Sequence, residues 1–146
     1  MFDPETKKEL IMEHYTHPLN RLTVTEKDFI KVNTNSDSCI DNIDLFVKIE
    51  DGIIKDMYFN GEACAISTSA TSIMIKLLIG KTVEEAKEIM KNYNNMIEEK
   101  EYNPELLEEA NVYEDIHKQK NRIGCATISW RGFAKVLEEY EKQRLN

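Results

Sequence analysis

Three cysteines and one aspartate are the residues of this chain best suited to chemistry: Cys39, Asp41, Cys64 and Cys125. Cys39 has a carboxylate two residues on, in Ser38-Cys39-Ile40-Asp41. Cys64 follows a glycine-containing turn and opens a run of small residues, Gly61-Glu62-Ala63-Cys64-Ala65-Ile66-Ser67. Cys125 follows a basic stretch and leads into an apolar, helix-like segment, Arg122-Ile123-Gly124-Cys125-Ala126-Thr127-Ile128. An odd number of cysteines argues against a pure disulfide framework. Three thiolates and one carboxylate make a complete tetrahedral donor set for zinc. The Cys-x-Asp spacing lets both side chains reach one ion if Ile40 points away.

Each of these residues also has a plainer reading. Free cysteines are common as small apolar core residues, and Asp41 suits an Asx turn ahead of a strand. Position favours the ligand reading: Cys64 and Cys125 fall at expected helix starts, where unpaired N–H groups and the positive end of the helix dipole favour thiolate over thiol. His14, His17 and His117 are alternative fourth ligands, but none lies near a cysteine in sequence, so each is read as a surface or capping residue. Arg122 stands three residues before Cys125. It is either a surface ion-pair partner, worth little, or positive charge that offsets the net −2 of zinc with three thiolates and a carboxylate.

The elements that must position these residues follow from periodicity. Pro4 to Tyr15 read as a helix started by Asp3-Pro4, broken by His17-Pro18-Leu19-Asn20. Asp28 to Asn33 read as a short strand. Ile43, Leu45, Val47 and Ile49 alternate with polar or outward residues, as in a strand. Asp51-Gly52 is a hairpin signal, with a return strand from Ile53 to Asn60. Cys64 to Ile79 has helical spacing, closed by Gly80. Thr82-Val83-Glu84-Glu85 is a capping box that opens a helix to about Asn92. Pro104 to about His117 is expected as an acidic helix, its carboxylates from Ile97 to Asp115 a solvated face. Cys125 to about Arg144 is the last helix. Met57, Met74 and Met90 are expected to fill gaps in the core. The fold class is α+β: an N-terminal helix, a three-stranded antiparallel sheet, then helices packed on one face.

The bulk numbers set bounds. A chain of 146 residues, 41% hydrophobic and 32% charged, is expected to form one soluble domain over residues 1–146. No apolar stretch approaches the roughly 20 residues of a membrane helix, so no membrane partner is expected. The charged N-terminus lacks the apolar core of a signal peptide. The expected location is therefore cytoplasmic, where clustered thiols stay reduced and bind metal or react. A net charge of −8 argues against nucleic acid, which needs a concentrated basic face.

The motifs together resemble the IscU/NifU-like family of iron–sulfur cluster assembly proteins. Ile11-Met12-Glu13-His14-Tyr15-Thr16-His17-Pro18-Leu19-Asn20 is similar to the family's N-terminal signature. Ser38-Cys39-Ile40-Asp41-Asn42-Ile43, Gly61 to Ser67, and Arg122 to Trp130 are similar to its three cysteine motifs. Within the family, the SufU branch is indicated by the long segment between Cys64 and Cys125. It is also indicated by Gly124, where IscU-type scaffolds have a histidine, and by the absence of proline from Lys118 to Gly124. The chain departs from the pattern at Ile40, where glycine is usual, and at Gly124, where this branch is expected to carry lysine.

The resemblance implies a zinc-dependent sulfur acceptor, a carrier partner of a SufS-type cysteine desulfurase that uses pyridoxal phosphate. Cys39, on a loop, is the expected acceptor, with Asp41, Cys64 and Cys125 as remaining ligands. Iron–sulfur assembly proteins would act downstream. Two other readings use the same residues. One is a scaffold holding a transient [2Fe–2S] cluster on Cys39, Asp41, Cys64 and Cys125, since thiolates suit both metals. The other is a structural zinc module used only for protein binding.

Overall fold

The computed structural model of the protein describes residues 2–35 and 40–145. Helix α1, Pro4–Thr16, starts as expected: Asp3 caps it by accepting the Thr6 N–H at 2.8 Å, with proline at the first helical position. Three strands follow, β1 (Ile30–Asn35), β2 (Asn42–Glu50) and β3 (Ile53–Glu62), antiparallel in the order β1-β2-β3. The β2–β3 hairpin turns at Asp51 and Gly52, with φ of 54° and 74°. Two consecutive left-handed residues match the right-handed twist of the flanking strands, which is why Asp-Gly suits the turn.

Alternation along the strands gives the sheet its core face. Ile43, Leu45 and Val47 of β2 pair with Gly61, Phe59 and Met57 of β3, and all of these strand hydrophobics are fully buried. Phe46 belongs to the opposite face yet is also buried, with the Lys31 ammonium 5.7 Å from its ring centre. Helices α2 (Ala65–Leu78) and α4 (Ile123–Leu145) pack on the core face. A Cβ on Gly132 of α4 would lie 2.9 Å from Leu45 Cδ1 and 3.0 Å from Thr34 Cγ2, so this glycine lets α4 approach the sheet closely. Met57 and Met74 are core residues, and Met90 packs against the core edge.

From Ser67 to Ile75 every residue of α2 is buried, so this helix is enclosed on all sides. Its hydroxyls are satisfied inside the protein. Ser69 bonds the Tyr113 hydroxyl at 2.6 Å, Thr71 donates to the Ser67 carbonyl at 2.7 Å and meets the Ser129 hydroxyl, and Ser72 bonds His14 at 2.7 Å.

Three expectations need correction. Helix α3, Val83–Ile97, opens with the expected Thr82–Glu85 capping box but continues past Asn92. Tyr93, Met96 and Ile97 keep its apolar face in the core, and Tyr93 stacks on Trp130 of α4 at 4.3 Å. The stretch from Pro104 to His117 is not an α-helix. It forms short 3-10 segments, Pro104–Leu106, Glu108–Tyr113 and Ile116–Lys118, followed by Lys120–Arg122. Glu108 takes a φ of 44°, and the buried Asn111 amide donates to the Pro104 and Glu108 carbonyls at 2.8 Å each. Side-chain capture of carbonyls that a helix would use breaks the regular ladder. His14, expected at the surface, is buried: its Nδ1 meets Ser72 Oγ, and its Nε2 lies 3.1 Å from Glu109. Among the described residues, no helix is long and apolar enough to cross a membrane.

Candidate metal site

Asp41, Cys64 and Cys125 converge at one end of the sheet. One ligand atom from each lies within 4.8 Å of the others. Asp41 is 1% exposed and Cys125 5%, while Cys64 is half-buried.

Sheet register brings the first two together. β2 begins at Asn42, paired with Glu62 at the end of β3, so the residues just outside the ladder are Asp41 and the approach to Cys64. Gly61 permits this closeness. Its φ is 125°, and a Cβ there would stand 2.2 Å from the Asn42 carbonyl oxygen, so a side chain would force the strand ends apart. Ile40 turns outward, 71% exposed, while Asp41 turns in. That is the alternation required for Asp41 to face the site.

Cys64 is the N-cap residue of α2, and its Sγ accepts the Ser67 N–H at 3.4 Å. The expectation of a cysteine at a helix start is met. Asp41 Oδ1 accepts both the Cys64 N–H and the Ser67 hydroxyl, each at 2.8 Å, while Oδ2 lies 3.8 Å from Cys64 Sγ. Cys125 lies in the first turn of α4. Its backbone is fixed by neighbours: the Tyr93 hydroxyl donates to the Ala126 carbonyl at 2.6 Å and the Thr34 hydroxyl to the Ile128 carbonyl at 3.1 Å. Burial pushes the Tyr113 hydroxyl above its usual range against the pull of its Ser69 hydrogen bond, and the Cys64 charge adds to the rise. Tyr113 therefore stays neutral.

The donor set fits zinc. Ligand atoms of a tetrahedral zinc site are about 3.5–3.8 Å apart, so the three groups need only a small contraction from the separations seen. Two cysteines and a carboxylate gathered at a largely buried point would, once ionised, repel one another unless a cation joined them.

Cys39 lies outside the described residues. Arg122 is exposed, in the 3-10 segment that leads into α4. The histidines do not enter the cluster. His14 serves the α1–α2 contact, His17 is exposed with Nδ1 3.6 Å from Glu13, and His117 rests 3.4 Å from Glu99. The carboxylates near Asp115 pair with lysines: Lys7 reaches Glu114 at 3.0 Å and Asp115 at 2.8 Å. Sequence reasoning missed Ser67. The one available signal was its place three residues after Cys64, where an N-cap side chain meets the helix.

The chain has recognisable relatives. A family model described as the NifU-like N-terminal domain matches residues 6–145. The zinc-dependent sulfurtransferase SufU of Bacillus subtilis is 33% identical over 92% of this chain and 90% of its own length. The iron–sulfur cluster assembly scaffold protein IscU of Thermotoga maritima is 30% identical over 72% of this chain and 74% of its own. A solved structure from Fervidobacterium islandicum, described as an iron–sulfur cluster assembly scaffold protein for the SUF system, superposes with a TM-score of 0.79 at 30% identity, covering 89% of this chain and 96% of that one.

Proposed function

Because the chain belongs to the NifU-like N-terminal domain family, we propose that it is a zinc-dependent sulfur acceptor for a SufS-type cysteine desulfurase in iron–sulfur cluster assembly. The observation that carries the proposal is the convergence of Asp41, Cys64 and Cys125 within 4.8 Å, with Asp41 and Cys125 buried and Cys64 half-buried. The similarity to a zinc-dependent sulfurtransferase over nine-tenths of both chains supports it.

On this reading Asp41, Cys64 and Cys125 hold zinc together with Cys39, which supplies the reactive thiolate. Bound zinc supplies Lewis acidity that keeps coordinated thiols deprotonated near neutral pH. Cys39 then attacks the terminal sulfur of the desulfurase persulfide. A new S–S bond forms on Cys39, the old one breaks, and the desulfurase cysteine leaves as a thiolate. Atoms and charge balance, with no oxidant needed. Asp41, Cys64 and Cys125 are held by β2, α2 and α4 and keep the site in place. Arg122, close to Cys125 in sequence, contributes positive charge. The chemistry belongs in a reducing compartment, in keeping with a cytoplasmic location.

The test is desulfurase turnover with zinc-loaded and metal-free protein, followed by mass spectrometry of the cysteines. Stimulation by the zinc form, a persulfide on Cys39 and loss of both in Cys39→Ser are expected. A persulfide on Cys64 or Cys125 in its place would overturn the assignment of the acceptor. Equal turnover with both forms would overturn the zinc dependence.

The similarity to IscU scaffolds favours one second reading, a transient [2Fe–2S] cluster on the same four residues. Anaerobic reconstitution with iron and sulfide separates the two. A scaffold acquires cluster absorption and passes the cluster to an apo-ferredoxin, whereas an acceptor keeps zinc and does neither.

A further inference from the structure

We infer that Ser67 is a positioning residue that makes Asp41 a one-oxygen ligand, turning Oδ2 toward the metal and holding Oδ1 away from it. The inference rests on the metal-site reading above. It adds a residue that touches the ligands rather than the ion.

The argument starts from the two oxygens of one carboxylate. Oδ1 accepts the Cys64 N–H and the Ser67 hydroxyl, both at 2.8 Å. A carboxylate oxygen offers about two lone-pair positions, so these two donors occupy Oδ1. Oδ2 lies 3.8 Å from Cys64 Sγ, and a carboxylate oxygen of Asp41 lies within 4.8 Å of both sulfurs. Binding through both oxygens would require Oδ1 to give up one of its donors. Ser67 has a single hydroxyl proton, and three acceptors are near: Asp41 Oδ1 at 2.8 Å, the Cys64 carbonyl at 3.2 Å and Cys64 Sγ at 3.4 Å. Distance and charge both direct the proton to Oδ1.

The same residue orients the second ligand. The Ser67 N–H donates to Cys64 Sγ at 3.4 Å. Ser67 is fully buried, so solvent has no ready access to replace a lost hydroxyl. Thr71 donates to the Ser67 carbonyl at 2.7 Å, which steadies the turn. One buried serine thus fixes the carboxylate of Asp41 and the sulfur of Cys64 relative to each other before any ion binds.

The experiment uses the whole chain, with Zn²⁺ and Co²⁺ as probes. Zinc affinity is measured by competition with a chromophoric chelator, and Co²⁺ spectra report ligand number. Ser67→Ala should fold, because alanine suits a helix and adds no bulk. It should bind zinc roughly 10–100-fold more weakly, the usual cost of losing a group that orients a ligand. Its Co²⁺ bands should shift and weaken as the carboxylate swings toward two-oxygen binding. Ser67→Thr, which keeps the hydroxyl, should restore the affinity. Ser69→Ala loses a buried hydrogen bond one turn-side away, to Tyr113, and should lower the melting temperature with zinc affinity unchanged.

An infrared spectrum of zinc-bound wild-type protein labelled with ¹³C-aspartate needs no substitution. A wide splitting between the carboxylate stretches is expected for one-oxygen binding. A narrow splitting in wild type, or unchanged zinc affinity and Co²⁺ spectra in a folded Ser67→Ala, would overturn the inference and leave the metal-site reading intact. Wild-type protein that takes up neither metal would remove that reading itself, and this inference with it.

Discussion

At the N-terminal end of α2, Asp41, Cys64 and Cys125 bring together groups that become anionic when they ionise. Further along the same helix, His14 and Lys76 meet Glu109, each at 3.1 Å. Both clusters join distant parts of the chain, and both are wholly or partly buried. They differ in sign. The second pairs opposite charges and satisfies itself. The first gathers three groups that would all be anionic if ionised, an arrangement that is unfavourable alone and favourable around a cation. Burial of polar groups alone therefore does not distinguish the two clusters; the kind of group gathered does.

The sharpest way to break the comparison is to remove a donor. Cys64→Ala or Cys125→Ala should reduce zinc affinity by more than the roughly 10–100-fold expected of an outer-shell change. Chelator competition would measure it. Each variant should also lose the part of its thermal stability that depends on zinc. A Cys125→Ala protein that binds zinc like wild type would reduce Cys125 to a packing residue.

Metal removal should have the next largest effect. A ligand present at 1,000 times its dissociation constant stabilises the folded state by about 4 kcal/mol. For a chain of this size each kcal/mol is worth about 2–4 °C, so chelation should lower the melting temperature by about 8–16 °C. The fold should survive, because the core of β2, β3, α2 and α4 is formed without the site. Melting curves with and without chelator, after zinc loss is verified by metal analysis, would check this. Superimposed curves would show that the three donors do not tie the elements together through an ion.

His14→Ala sharpens the contrast from the other side. It removes the partner of Ser72 and Glu109 at a buried position, at a cost of roughly 1–3 kcal/mol. The melting temperature should fall in both zinc-loaded and metal-free protein by the same amount. Zinc affinity should stay at the wild-type value. Coupled losses of stability and affinity would mean that the two clusters are one network through α2.

These two clusters also show what the sequence made legible. Donor types at the site could be read directly, since thiols and a carboxylate at helix starts and strand ends carry their chemistry with them. The sheet followed from local rules, the alternation in Ile43 to Ile49 and the Asp51-Gly52 turn, and the start of α3 followed from the Thr82–Glu85 capping box. His14 was misread because its partners lie 58 and 95 residues away. Ser67 was missed because its contact with Asp41 spans 26 residues. The 3-10 path after Pro104 depends on a left-handed Glu108 and on side-chain capture by Asn111, neither of which disturbs the acidic helical pattern. Tertiary partners, not propensity, decide such positions.

The smallest expected effect is a pH dependence confined to the mixed cluster. Burial raises the Glu109 carboxyl, but hydrogen bonds and charge from Lys76 and His14 outweigh it and hold the group below its ordinary value of 4.5. A carboxyl depressed by folding contributes stability that is fully present above the unfolded value and lost as pH falls through the folded one. Glu109→Gln removes that contribution. Wild type should therefore melt above Glu109→Gln by a small margin, and the margin should close as the pH drops below 4.5. Parallel melting curves at stepped pH on metal-free protein isolate the effect from zinc release, which acid also drives. A margin that widens as the pH falls through 4.5 would reverse the sign and show that Glu109 is held protonated by burial rather than ionised by its hydrogen-bonding partners.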